Sequence, residues 1–199
     1  AAVYVGSHAA DVSIVGCTFG CGTASYDVGE ATRYASVSGI VSKATRCRII
    51  GNGIWYSADQ YTANNDAPAF QSYGIRLTGT VGATAEVSDN YIYYTGSHGI
   101  YVDATITSGT EVAIWGNVLS QCGQAGISVY KARGADYASG EIDIHDNIIS
   151  YCNRLGDGPL STLGGATKKN ASCGIHLNDG GQSGIDPQKP FVATFVHDN

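Results

Sequence analysis

The chain has 199 residues and carries 11 basic against 17 acidic side chains, a net charge of −6 with 14% of residues charged. That balance offers no basic face for phosphate, which argues against a nucleic-acid partner, and no apolar run reaches the roughly 18 residues that a membrane span requires. Gly stands at 27 and Pro at 4 without a three-residue period, so a collagen-like rod is excluded and one domain with a substantial core is expected.

Taken from the start, Ala2-Val3-Tyr4-Val5 and Val12-Ser13-Ile14-Val15-Gly16 alternate in hydropathy with the period of a strand, and Cys17 follows. Ser38-Gly39-Ile40-Val41 comes next, then Cys47-Arg48-Ile49-Ile50-Gly51-Asn52. The same two phrases return as Tyr73-Gly74-Ile75-Arg76-Leu77 with Glu86-Val87-Ser88-Asp89-Asn90. They return again as His98-Gly99-Ile100-Tyr101-Val102 with Glu111-Val112-Ala113-Ile114-Trp115-Gly116-Asn117. A further copy pairs Ala125-Gly126-Ile127-Ser128-Val129 with Glu141-Ile142-Asp143-Ile144-His145-Asp146-Asn147. Cys173-Gly174-Ile175-His176-Leu177 repeats the first phrase, and Val196-His197-Asp198-Asn199 repeats the end of the second.

A unit of three short strands and three turns cannot bury its apolar face alone, but stacked units enclose a continuous core. One Asn per unit at the same turn predicts a ladder of Asn52, Asn90, Asn117, Asn147 and Asn199, because Asn tolerates left-handed backbone and its amide can bond a neighbouring amide. Cys17 stands in the ladder position of the weaker first copy. Ile54, Ile92, Leu119 and Ile149 each fall two residues after an Asn and are expected to stack inside.

This repeat resembles that of the pectate lyase-like superfamily over nearly the whole length. The resemblance implies an all-β fold, a right-handed single-stranded parallel β-helix of about six coils forming one domain over 1–199, with long loop insertions on one side. It also implies that the Gly-Ile strand lies in the first sheet, the strand before Asn in the second and the strand after Asn in the third. The motifs of its pectin hydrolases, alginate epimerases and pectate lyases are missing, and Arg76-Leu77-Thr78 replaces the epimerase catalytic run. A solenoid fold alone does not fix an activity.

Insertions fall at 21–37, 57–71, 131–140 and 153–172, and all border the first sheet, so its outer face is the expected floor of a groove. The long gap before Ile175 is read as a loop and not as an extra coil. With the isoleucines inward, one outward row is Arg76, Tyr101, Ser128 and His176, and a second is Thr78, Asp103, Tyr130 and Asn178. Coils ~4.8 Å apart make each row roughly 15 Å long, room for a few sugar units. Lys131 and Arg133 follow in the next turn and His98 stands just before its strand.

Tyr stacks on sugars and Arg holds carboxylates. β-Elimination on a uronic acid polymer needs a base, a positive charge on the carboxylate and a proton donor. Lys131 or Arg133 is the candidate base, and Tyr101 or His176 the candidate donor. Arg76 is the candidate carboxylate clamp, with Asp103, Ser128, Tyr130, Asn178 and His98 as further substrate contacts. Calcium on Asp103 and Asn178 is an alternative clamp, although two such oxygens make a poor site and no metal or other cofactor is assigned. His145 and His197 are expected on the surface of the second sheet.

The expected function is therefore a secreted or cell-surface carbohydrate-active protein, a polysaccharide lyase in preference to a glycoside hydrolase. The alternatives are a non-catalytic glycan-binding, adhesive or tailspike-like segment and a purely structural module. Cys122 and Cys152 both stand five residues after a ladder Asn and are expected to form a thiol stack in preference to a disulfide. Cys17 and Cys21 can close a small loop, and Asn170-Ala171-Ser172 fits a glycosylation sequon. With no secretory signal at Ala1, no Met and no cap at either end, the chain reads as a trimmed fragment of a longer solenoid, or as one that self-associates through its ends.

Overall fold

The computed structural model describes residues 1–20, 38–57, 73–95, 97–130, 140–152, 174–178 and 193–199. These residues form strands and turns without a helix. No helix among them is long and apolar enough to cross a membrane.

Three stacked parallel sheets carry the structure. Sheet A contains β1 (Val3–Val5), β4 (Ile40–Ser42), β7 (Ile75–Leu77), β11 (Ile100–Val102), β15 (Ile127–Tyr130) and β18 (Ile175–Asn178), in that order. Sheet B contains β2 (Asp11–Val15), β5 (Arg46–Ile50), β9 (Ala85–Ser88), β13 (Glu111–Trp115), β16 (Glu141–His145) and β19 (Ala193–His197). Sheet C contains β3 (Thr18–Gly20), β6 (Gly53–Ser57), β10 (Tyr91–Thr95), β14 (Val118–Ser120) and β17 (Ile148–Ser150). The chain visits A, B and C in turn, and each strand pairs with its counterpart in the next pass. The arrangement is solenoid-like and compatible with a parallel β-helix.

The sequence register holds. Ile40, Ile75, Ile100, Ile127 and Ile175 pair in line along sheet A, and the first four are fully buried. Ile54, Ile92, Leu119 and Ile149 pair in line along sheet C, the first three fully buried and Ile149 packed against the same core. Each such side chain removed from water stabilises the fold by about 1.5–3 kcal/mol before the entropy cost of ordering it. β15 pairs directly with β18, so no strand of sheet A lies between them. The four predicted insertions fall almost wholly outside the described residues.

The Asn ladder is present with the expected amide-to-amide bonds. Each Asn amide nitrogen donates to the Oδ1 of the next Asn: Asn52 to Asn90 at 3.0 Å, then Asn90 to Asn117, Asn117 to Asn147 and Asn147 to Asn199, each at 2.9 Å. The same nitrogens also reach back to a main-chain carbonyl of the preceding pass, as from Asn117 to Val87 at 2.8 Å. Left-handed backbone, however, belongs to the residue before the Asn: Gly16, Gly51, Asp89, Gly116, Asp146 and Asp198 all have φ between 53° and 64°. Only Gly and short polar residues adopt that region at low cost, which accounts for the Asp/Gly alternation in the repeat. Cys17 keeps the main-chain part of the ladder, its N–H donating to Asn52 Oδ1 at 3.0 Å.

The glycine before each isoleucine has a steric cause. A methyl carbon added at Gly74 would lie 2.6 Å from the Gly99 carbonyl oxygen and 2.5 Å from Ile92 Cγ2. Gly39, Gly99 and Gly126 are closed in the same way by the next pass and by the sheet C residue that stacks inside. One element was absent from the sequence reading. β8 (Thr80–Val81) and β12 (Thr105–Ile106) form a two-stranded sheet D between A and B.

Candidate functional site

The outer face of sheet A gathers most of the predicted residues. Register places Arg76 beside Tyr101, Tyr101 beside Ser128 and Ser128 beside His176. Tyr130 pairs with Asn178 in the second row. Lys131 and Arg133 lie outside the described residues, as does the side chain of Asn178.

The centre of the face is a ring stack. Tyr73 and Tyr101 are parallel at 4.5 Å between centroids, His98 and Tyr101 at 5.2 Å, and Tyr130 flanks Tyr101 at 6.2 Å. Tyr73 was missed by the sequence reading. It precedes Gly74-Ile75 as His98 precedes Gly99-Ile100, and the chain entering the sheet turns both rings onto the face that Tyr101 occupies. The signal was an aromatic residue in front of Gly-Ile in two consecutive copies. The Arg76 guanidinium carbon lies over the rings of Tyr73 and Tyr101 at 5.4 and 5.7 Å, a cation–π arrangement.

Asp103 forks onto Arg76. The guanidinium donates from Nη2 to Oδ2 at 2.5 Å and from Nε to Oδ1 at 3.2 Å, and both side chains are under a third exposed. This bond raises the Arg76 pKa further, against the opposing effect of burial. The clamp foreseen for a substrate carboxylate thus already holds one from the protein. Both Asp103 oxygens, one half of the calcium alternative, are bonded by Arg76, and the Asn178 side chain, the other half, lies outside the described residues. Among the described residues no group of three or more His, Cys, Asp or Glu side chains is placed to hold a metal ion.

His98, His176, Tyr73 and Tyr101 are held neutral. Burial, reinforced by nearby His176, pushes the His98 pKa down to about 4. The Ala125 N–H donates to His98 Nδ1 at 3.2 Å, which leaves the ring proton of the neutral imidazole on Nε2. Burial also lowers His176. Tyr73 and Tyr101 are raised, both chiefly by burial, so each phenol keeps its proton and donates.

Ser128 is 1% exposed beneath its neighbours and contacts His176 Nδ1 at 3.4 Å. A ligand on this face meets Arg76, Tyr101, Tyr130 and His176 before it meets Ser128. Comparison with known proteins finds no matching family model, no matching curated protein and no matching solved structure. The chemistry of the face is therefore argued from its own residues.

That chemistry is definite in kind. The face presents phenol hydroxyls, neutral imidazoles and a guanidinium over parallel rings, with one internal ion pair. With the ring faces turned onto one another, such a surface offers ring edges and exchanges hydrogen bonds with hydroxyls. His145 and His197, expected as surface residues of sheet B, are part of a different stack there. Trp115, His145 and His197 lie parallel at 6.2 and 5.1 Å, away from sheet A.

Proposed function

We propose that this chain is a secreted or cell-surface right-handed parallel β-helix of the pectate lyase-like kind. In this reading it binds an acidic polysaccharide along the outer face of sheet A and cleaves it by β-elimination. The observation that supports this is the guanidinium of Arg76 lying over the parallel rings of Tyr73 and Tyr101. The Tyr101 ring edge and hydroxyl line the sugar while Arg76 exchanges Asp103 for a uronate carboxylate. A base, Lys131 or Arg133 from the segment that follows Tyr130 in sequence, takes the proton beside that carboxylate. The bond to the leaving oxygen breaks as the new double bond forms, and Tyr101 or His176 returns a proton to that oxygen.

The test is incubation with a panel of uronate polymers, watching the ultraviolet absorbance of the unsaturated product. Whichever of the two is the donor, its removal by Tyr101→Phe or His176→Gln is expected to lower kcat about 100-fold or more with KM little changed. No product from any polymer with folded protein overturns the lyase reading.

The Arg76–Asp103 pair favours a second reading. Because the two charges already satisfy each other, the face is also suited to non-catalytic binding of a glycan, as in an adhesive or tailspike-like segment. Binding on a glycan array without turnover, unaffected by Tyr101→Phe, selects this reading.

A further inference from the structure

Where sheet C hands the chain on toward sheet A, one turn repeats with unusual backbone. Tyr94, Gln121 and Tyr151, each four residues after a ladder Asn, all have left-handed φ of 61°, 54° and 51°. Non-glycine residues occupy that region at a cost, so the turn is imposed by its surroundings. The next residue in each case faces inward: Thr95 and Cys122 are fully buried and Cys152 partly so.

The two cysteines are equivalent in consecutive passes. Ser120 pairs with Ser150 just before them, and the Gln121 N–H donates to the Ser150 carbonyl at 3.2 Å. Each thiol lies against the glycine that opens its own pass through sheet A, Cys122 against Gly99 and Cys152 against Gly126. Ser120 and Ser150, two residues earlier, are in register, and residues so placed on parallel strands have Cα atoms about 4.8 Å apart, inside the roughly 4.4–6.8 Å window of disulfides.

We propose that Cys122 and Cys152 are a reversible dithiol site, closed by small-molecule disulfides such as oxidised glutathione into a bridge between consecutive passes of the solenoid. Both are free thiols in this structure. Interaction between the two thiols, with burial adding to it, raises the Cys122 pKa and the same interaction lowers that of Cys152, whose thiol also reaches the Ser150 carbonyl at 3.5 Å. Cys152, the more exposed, is thereby the attacking thiolate and Cys122 keeps the proton. Cys152 Sγ attacks one sulfur of the small disulfide and expels the other as a thiolate, leaving a mixed disulfide on Cys152. Cys122 Sγ then attacks the Cys152 sulfur, breaks the mixed disulfide and expels the second thiolate, which takes up the Cys122 proton. The protein dithiol is oxidised and one small disulfide is reduced to two thiols. The site is independent of what sheet A binds.

The experiment treats the whole chain with oxidised or reduced glutathione, then denatures it and alkylates the remaining thiols. Oxidised protein is expected to take up two fewer labels, with peptide mapping joining Cys122 to Cys152 and dithiothreitol restoring both. Cys122→Ser is expected to trap a glutathione adduct on Cys152, whereas Cys152→Ser leaves Cys122 unmodified. A bridge mapped to Cys173, or full labelling after oxidation, overturns the proposal. Should either variant fail to fold, the map of the unaltered chain decides alone.

Discussion

His98 shows how one buried ring ties the face of sheet A to solution pH. Its pKa falls from an ordinary 6.5 to about 4 on folding. Between those values the unfolded chain binds more protons than the folded one, so stability rises with pH across the interval. The contribution is complete above pH 6.5 and is lost as pH falls toward 4, about 3 kcal/mol in all. Denaturant unfolding at pH 7 and pH 4.5 is expected to show a smaller loss for His98→Gln than for the unaltered chain, and equal losses would mean that His98 does not carry the effect. The residues of the site are only partly legible in the sequence. Alternation within a strand assigns Arg76 and Tyr101 to one face correctly, since side chains must alternate there. It fails at Tyr73 and His98, where the entering turn breaks the alternation, and it gives the face of Arg76 and Asp103 without giving their bond. Burial of Ser128 depends on what covers it, which parity does not encode.

At the scale of the repeat, Asn and Gly do separate work. Asn117 donates to Val87 and Asn147 and accepts from the Asn90 main chain and side chain. Asn117→Ala leaves several of these buried groups without partners, at about 1–3 kcal/mol each. A loss of about 3 kcal/mol or more is expected in denaturant unfolding, and a loss under 1 kcal/mol would discount the ladder. Gly99→Ala forces a methyl carbon against the Gly126 carbonyl and the Leu119 side chain, for a cost of about 2 kcal/mol or more. Gly6→Ala, with nothing within 4 Å of the new carbon, is expected to be nearly neutral. If the two glycine variants unfold alike, close approach is not the reason for the Gly-Ile phrase. Register was legible because Asn and the apolar alternation recur together. Sheet D was not, because strands as short as Thr80–Val81 are too brief to display a period.

Across the whole molecule, the two tryptophans lie on the sheets that the proposed site does not use. Trp115 belongs to sheet B, and Trp55 to sheet C, where it stands 5.1 Å from Tyr91. A saccharide on sheet A is expected to shift the ring resonances of His98 and His176 while leaving the tryptophan emission maximum unchanged. Emission that shifts on binding would instead point to the exposed Trp55–Tyr91 pair as the contact surface. The solenoid-like arrangement could be foreseen at this scale because repetition is visible without alignment or relatives. Function could not, because no motif or matching protein narrows the chemistry.

The Asn column also has a sense of direction. From Asn52 to Asn199 every hydrogen that one Asn amide gives to another points toward β19 and every accepting Oδ1 back toward β2. Dipoles aligned head to tail add along their length and polarise one another. An α-helix derives such a field from its main chain. Here a single file of side chains produces one through the interior, negative toward β2 and positive toward β19, so the two ends of the stack differ electrically even where their shapes repeat.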